Sequence, residues 1–374
     1  YNLCLASWLK PFEHWLWGNL KSEVSWGVRP SRVVGKGLNP VQRANLIKRK
    51  MAEVGDGCEV FEVDASSFES HVDVWQLLGE QSVYRAAYPR AGELDRLLGK
   101  QLVMDARTSC GITFKRQGGR ASGDFNTGMG NTLVFLAVLR GSLLGHVPRF
   151  DLLVDGDNAL VFLPPGCSDP GFSNRVLVSS GHECVLERRV SILEEVVFGQ
   201  SHPVELARGW QMVRPWLKVV SQATSSHTNL RGSHASNLAY LSGVGKCEAS
   251  LAVGVPILGV FARSLALLSP KAPKAERLGD YRGLGLCVER VLAEPVRFEE
   301  PSWGARLSFE RAFGVTPENQ LLLESKLRFQ VANKMIREET PSFSCLESAA
   351  PGLLAERYTV LSSCGHAAKG CGAL

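Results

Sequence analysis

Residues 149–163, RFDLLVDGDNALVFL, constrain the fold more than any other stretch of the chain. Two apolar runs, Leu152–Val154 and Leu160–Leu163, flank Asp155-Gly156-Asp157-Asn158. Asp, Gly and Asn are the residues that tight turns favour, so the spacing predicts a β-hairpin. Its arms are apolar at consecutive rather than alternate positions, which requires cover on both faces of the sheet. The 374 residues, 45% of them hydrophobic, can supply that cover and allow two or three packed subdomains. A surface turn would account for the acids at the tip by themselves; a hairpin buried on both sides makes their placement a chemical question.

The 21% of charged residues exclude a disordered chain, and a net charge of +5 is a mild basic bias compatible with a polyanionic partner. Basic residues cluster in QRANLIKRK (Arg43, Lys48, Arg49, Lys50) and FKRQGGR (Lys115, Arg116, Arg120). Taken alone, each reads as a solvated face. Ten cysteines without a CxxC pair point to reduced thiols rather than a disulfide framework. Cys364, His366 and Cys371 could supply three zinc ligands, but no fourth stands at finger-like spacing. Residues 250–268 approach membrane length, yet Pro256 and Arg263 interrupt them, so a buried helix is expected. The chain begins at Tyr1 rather than Met, and is expected to be a piece of a longer product.

Helical spacing marks WLKPFEHWLWGNLK within residues 1–55. A β-branched strand, Glu59–Val63, then runs through Asp64 into a helical segment that Ser66 or Ser67 could cap. Residues 81–117 read as helix followed by loop, and GGRASGDFNTGMGN as a glycine-rich turn entering the apolar helix TLVFLAVLRGSLL. After a bend at 164–174 the pattern predicts a strand, a helix around RRVSILEEV and a hairpin near ARGWQMVRPWLKVV. Helical spacing dominates 221–336, a tail of weak periodicity occupies 337–374, and no internal repeat is visible.

Three features recur in a fixed order: a strand ending in Asp64, a glycine-rich turn carrying Ser122, Thr127 and Asn131, and a hairpin tip carrying Asp157. Singly, each is an ordinary cap or turn. The glycine-rich turn lacks the Gly-Lys-Ser/Thr of a phosphate loop, and Leu133 stands where a dinucleotide fingerprint needs glycine. Together they fit one chemistry. Two strand-borne carboxylates side by side can hold two divalent cations roughly 3.5–4 Å apart, one activating a hydroxyl and one stabilising a leaving oxygen.

DASSFESHV (64–72), SGDFNTGMGNT (122–132) and DGDNALVF (155–162) resemble motifs A, B and C of the RNA-dependent RNA polymerases of tombusvirus-like positive-strand RNA viruses. KGLNPVQRANLIKRKM, FGQSHPVELARGWQMVRPWLKV, GVGKCEASLAVGVPILGVFARSL and ARLSFERAFGVTPENQLLLE are similar to segments of that group in the same order, so the resemblance covers about residues 1–330. It implies an α/β (α+β) right-hand fold with an antiparallel palm sheet, partial fingers and a mostly helical thumb. Fingers would take 1–55 and an insertion at 81–115, palm 56–80 and 116–220, thumb 221–336, with a C-terminal tail at 337–374.

Residue by residue, the resemblance makes Asp64 and Asp157, with Asn158, the holders of two Mg2+ or Mn2+ ions. It makes Ser122, Thr127 and Asn131, with Glu69, the network that recognises the ribose 2′-hydroxyl of an incoming NTP. Gly123, Gly128 and Gly130 would let backbone approach the template, while Lys115, Arg116, Arg120, Arg214 and Lys218 would contact RNA phosphates. Implied partners are an RNA template, a primer or nascent strand, NTPs and a viral auxiliary replication protein. Implied location is the host cytoplasm at membrane-associated replication complexes, with the membrane contact made by a region upstream. Three departures stand out. Asn158 replaces the second Asp of Gly-Asp-Asp and offers a carbonyl without charge, so one ion should bind less tightly. Asp155, two residues before Asp157, could share its strand face and restore that charge. Glu69 stands where motif A has a second Asp. The basic fingers segment that normally precedes this region is expected to lie upstream in the longer product rather than to be lost. His182 and Arg188 lie where a general acid for pyrophosphate is expected. An inactive, replicase-derived RNA-binding protein is the competing reading. Reverse transcription and metal-dependent nuclease activity share the paired acids but do not explain the Ser-Gly…Thr…Asn turn.

Overall fold

The computed structural model describes residues 1–332 except 168, 227, 228 and 231; the Cys364, His366 and Cys371 grouping and the 337–374 tail lie outside the described residues. Helices and antiparallel sheets form two compact units, one of residues 1–38 with 42–199, the other of 39–41 with 200 onward.

The first unit contains helices α1 (Asn2–Asn19), α2 (Pro40–Val54, from residue 42 on), α3 (Phe68–His71), α4 (Val74–Ala87), α5 (Gly92–Gly99), α6 (Thr127–Leu143) and α7 (Phe172–Ser180). Its strands are β1 (Glu59–Ala65), β2 (Val103–Arg107), β3 (Thr113–Gln117), β4 (Asp151–Asp155), β5 (Asn158–Leu163) and β6 (Cys184–Leu186). Four of them build one antiparallel sheet in the order β4-β5-β1-β6. The expected hairpin is there: Asp155 pairs with Asn158, leaving Gly156 and Asp157 as a two-residue turn. Gly156 takes φ +76 and Asp157 does not, the pattern of a type II′ turn, which matches the strands' right-handed twist and needs glycine first. Leu152, Leu153, Val154 and Ala159–Leu163 are all buried, as unbroken apolar arms require. α6 packs against β4 and α7.

Several expectations are corrected. Neither serine caps a helix through its side chain: Ser67 precedes α3 in a left-handed conformation (φ 49) and makes no cap bond. The capping box is Asp73 with Gln76, at the start of α4. The loop expected before residue 117 is the β2–β3 hairpin, whose β3 is exposed throughout and so carries no apolar alternation to read. Around RRVSILEEV only the 3₁₀ turn Leu193–Glu195 forms, because Val190 exchanges both main-chain hydrogen bonds with Val60 (2.8 Å each) and holds that segment extended.

The second unit contains β7 (His202–Leu206) and β8 (Gly209–Val213), then α8 (Trp216–Ala223), α9 (His234–Leu251), α10 (Leu258–Ala266), α11 (Asp280–Gly283), α12 (Val288–Ala293), α13 (Trp303–Phe313) and α14 (Pro317–Ala332). Its core includes Leu241, Val244, Phe261, Leu265, Phe309, Leu323 and Leu327. The β7–β8 hairpin lies a few residues before the place the sequence suggested, since Pro215 ends the strand pattern and opens α8. The 250–268 stretch is not one helix but the end of α9, a break, and α10. At the break Ile257 takes φ 62, ψ −60, and its N–H donates to Glu324 Oε1 (2.9 Å), which is itself paired with the buried Arg306 (2.9 Å). Among the described residues no helix is long and apolar enough to cross a membrane.

Candidate active site

The register of β1 against β5 sets Asp64 opposite Asn158. Beyond that pair, the Ala65 N–H donates to the Asp157 carbonyl (3.2 Å), so the last residue of β1 is tied to the turn. Asp64 and Asp157 thereby meet at one end of the sheet. The turn is also held from α6: the Gly156 N–H donates to Thr132 Oγ1 (2.9 Å), and that hydroxyl donates to the Gly128 carbonyl (2.7 Å). Strand and helix together therefore fix the position of the tip.

Electrostatics mark the same place. The Asp157 carboxyl is raised above its ordinary range, first by burial, then by the negative charges of Glu69 and Asp64, with Lys36 partly opposing. Glu69 and Asp64 are thus near enough for their charge to act on Asp157. Asn158 adds a buried Oδ1 with no hydrogen-bond donor among the described residues. Two carboxylates and an amide oxygen are hard oxygen donors, the set that Mg2+ and Mn2+ prefer. Among the described residues no group of three or more His, Cys, Asp or Glu side chains forms a ready-made metal cage. By donor chemistry the residues fit these ions.

Asp155 does not supply the missing charge. It forms ion pairs with Lys36 (3.0 Å) and Arg43 (2.6 Å), and is neutralised. Lys36 arrives beside it because residues 33–35 run along β4, with the Gly35 N–H on the Val154 carbonyl and the Val154 N–H on the Val33 carbonyl (2.8 Å each). The QRANLIKRK cluster is likewise no uniform solvated face: Arg43 turns to Asp155, and the fully buried Lys50 pairs with Asp151 (2.8 Å).

In the glycine-rich turn, Asn131 donates from Nδ2 to Glu69 Oε1 (3.1 Å), while its own buried Oδ1 has no donor among the described residues. The longer Glu69 therefore still reaches motif B. Thr127 Oγ1 donates to the Ala121 carbonyl (2.9 Å). Ser122 is exposed, and its hydroxyl makes no hydrogen bond to the described residues. The Gly123 carbonyl accepts from Asn2 Nδ2 (2.9 Å).

Of the basic residues assigned to RNA, Arg120 requires correction. Its side chain is 2% exposed and paired with the equally buried Glu80, which also accepts from Tyr84 Oη (2.6 Å) and Asn126 Nδ2 (2.8 Å). A neutralised, buried guanidinium cannot meet a phosphate. Lys115 lies on the exposed β2–β3 hairpin within 3.5 Å of Asp105, and Arg116 donates to the Ser70 carbonyl. In the second unit Arg214 pairs with Glu248 (2.5 Å), and Lys218 donates to the Gln200 side chain.

His182 is no general acid. It is wholly buried, stacks on Phe68 with ring centroids 4.3 Å apart, and burial pulls its imidazole down to about 4. Arg188 pairs with Glu195 (2.7 Å) at the surface. Two residues at the site escaped sequence reasoning, Lys36 and Glu62. Glu62 had a signal, the two-residue spacing to Asp64 along one strand; Lys36 had none beyond its place in KGLNP.

A profile of the family described as viral RNA dependent RNA polymerase matches residues 1–333. The chain is 30% identical over 337 residues to the RNA-directed RNA polymerase of Turnip crinkle virus, covering 87% of this chain and 41% of that protein. It is 30% identical over 340 residues to that of Tobacco necrosis virus (strain A), covering 87% and 44%. It is 29% identical over 341 residues to that of Carnation mottle virus, covering 89% and 43%. The chain thus spans less than half the length of these relatives.

Proposed function

From the chain's membership of the viral RNA-dependent RNA polymerase family, we propose that it is the catalytic core of a replicase that copies an RNA template. The reaction joins the 3′-hydroxyl of a primer or nascent strand to the α-phosphate of an NTP and releases pyrophosphate. The observation that carries this reading is the meeting of Asp64 and Asp157 at one end of the β4-β5-β1-β6 sheet, beside Glu69 and Asn131.

In this reading the sheet is the palm, residues 1–55 and 81–115 belong to the fingers, and the helices after 220 form the thumb. Asp64, Asp157 and the Asn158 carbonyl would hold two Mg2+ or Mn2+ ions, which supply hydroxyl activation and charge stabilisation at the leaving oxygens. Glu69 fixes the Asn131 amide by accepting from Nδ2, leaving the unpartnered Oδ1 as acceptor for a ribose 2′-hydroxyl. A deoxyribose would leave that buried oxygen without a donor, so such a site discriminates strongly. Lys115, exposed on the β2–β3 hairpin, would meet an RNA phosphate. Association with an auxiliary replication protein and with membrane-bound replication complexes in the host cytoplasm belongs to the same proposal.

The test is RNA primer extension with NTPs in Mg2+ and in Mn2+, comparing wild type with Asp157→Ala. Incorporation lost in the variant is the expected result. Asn158 and Glu69 favour one second reading, a catalytically inactive RNA-binding relic. Absence of incorporation in both metals, from folded protein that still binds RNA, would support it.

A further inference from the structure

We propose that Glu62 is a positioning residue for the cation site: it orients the Asn158 amide and supplies the negative charge that an amide at position 158 withholds. The inference rests on the reading of Asp64 and Asp157 as cation ligands.

Glu62 and Asp64 are two residues apart on β1, so their side chains leave the same face of the sheet. On β5, Asn158 stands opposite Asp64 and hence diagonal to Glu62, within reach of a long side chain. Burial raises the Glu62 carboxyl above its ordinary range, and the Asn158 amide, acting on it as a donor, works the other way. A carboxylate only accepts, so the Asn158 Nδ2 group must face Glu62, and Oδ1 points away from it. That Oδ1 is the buried oxygen with no donor in the protein. The amide is therefore held by its donor end with its acceptor end unsatisfied, the orientation a cation ligand needs.

Glu62 is anchored from a second side, where the Gly199 N–H donates to Oε1 (3.3 Å). It faces the negative charges of Asp64 and Glu187, and no lysine or arginine pairs with it among the described residues. Asp155 differs on this point, with two cations of its own. Glu62 is thus a carboxyl without a cation of its own, diagonal to Asn158 on the same face of the sheet. Such outer-shell carboxylates orient a ligand and raise its basicity.

The experiment measures Mn2+ binding to the chain without RNA or NTP, by the EPR signal of free Mn2+. Glu62→Gln keeps an oxygen for the Gly199 N–H, removes the charge and turns a donor toward Asn158 Nδ2. It is expected to weaken Mn2+ binding about 10- to 100-fold, the usual effect of losing an outer-shell partner. Asn158→Asp alone sets two carboxylates against each other and should gain little; combined with Glu62→Gln it should restore wild-type affinity. Glu62→Asp keeps the charge but loses the reach to Asn158, and should lie between. A merely structural role would lower the melting temperature and leave the Mn2+ affinity of folded protein unchanged, which overturns the inference. Additive effects of Glu62→Gln and Asn158→Asp overturn it equally. Binding abolished by Asp157→Ala but indifferent to Glu62→Gln refutes the role of Glu62 alone. Failure of the wild type to bind Mn2+ removes the cation site and this inference with it.

Discussion

Gly130→Ala tests what the glycines of motif B do in this chain. A Cβ at position 130 would stand 2.5 Å from Glu80 Cδ and 2.6 Å from Arg120 Nη1, where ordinary contacts begin near 3.4 Å. Neither neighbour can retreat. The Glu80 and Arg120 side chains are 1% and 2% exposed, and Glu80 is further held by Tyr84 and Asn126, which is bonded to Gln101 (2.7 Å). Alanine in a helix gains up to about 1 kcal/mol over glycine. Overpacking a closed site costs ~1–3 kcal/mol, and breaking a buried pair ~3–5 kcal/mol. Forcing the buried pair apart, less the gain from alanine, leaves a net loss of about 2–4 kcal/mol. Gly128→Ala is the control in the same helix, since its Cβ would meet only the flexible end of Lys36 at 3.3 Å. It should be neutral or stabilise by up to about 1 kcal/mol. Urea denaturation followed by tryptophan fluorescence reads both. In a Glu80→Ala background the cost of Ala at 130 should largely vanish. Equal midpoints for the Gly128 and Gly130 variants would refute the argument.

Two further outcomes follow from groups with an unexpected environment. His182 is neutral in the folded protein down to about pH 4, because burial depresses its imidazole, whereas an unfolded histidine takes its proton near ~6.5. Between those values the unfolded chain binds more protons, so stability falls as pH drops from ~6.5 to 4, by up to about 3 kcal/mol. His182→Phe keeps the stack on Phe68 and should flatten that part of the urea-midpoint profile; an unchanged slope would contradict the assignment. Arg120→Ala should act on stability, leaving an uncompensated Glu80 at a cost of about 3–5 kcal/mol, while Lys115→Ala should leave stability alone and reduce the salt slope of RNA binding by about 1. Filter binding at several salt concentrations separates the two.

The parts of this molecule that were legible beforehand are those where one residue type has few physical uses. An unbroken apolar run around Asp-Gly-Asp-Asn can be little else than a buried hairpin, and β4–β5 is that hairpin, down to the two-residue turn. Asp64 and Asp157 stood out by their order along the chain, and the sheet brings them to one end. The misreadings share a different cause. Arg120, Asp155 and His182 are ionisable residues whose roles depend on partners distant in sequence: Glu80, Lys36 with Arg43, and Phe68 with Gln76. Nothing local distinguishes a buried, neutralised arginine from one that meets solvent. The β2–β3 hairpin was missed for the opposite reason, since β3 is exposed throughout and β2 alternates only between exposed and half-buried positions.

The two-residue turn at Gly156-Asp157 also sets a rule for how this protein can change length. β5 is shared, pairing with β4 on one side and with β1 on the other. One residue added to the turn would shift β5 by a step and reverse the face of every side chain from Asn158 to Leu163, or else push the acid at the tip away from Asp64. The Gly156 N–H would leave Thr132 at the same time. The β2–β3 tip, exposed and tied among the described residues only to its own strands, has no such constraint. Insertions and deletions should therefore be tolerated at residues 108–112 and eliminated at 156–157, so a library of single-residue insertions would separate the two turns without any knowledge of the reaction.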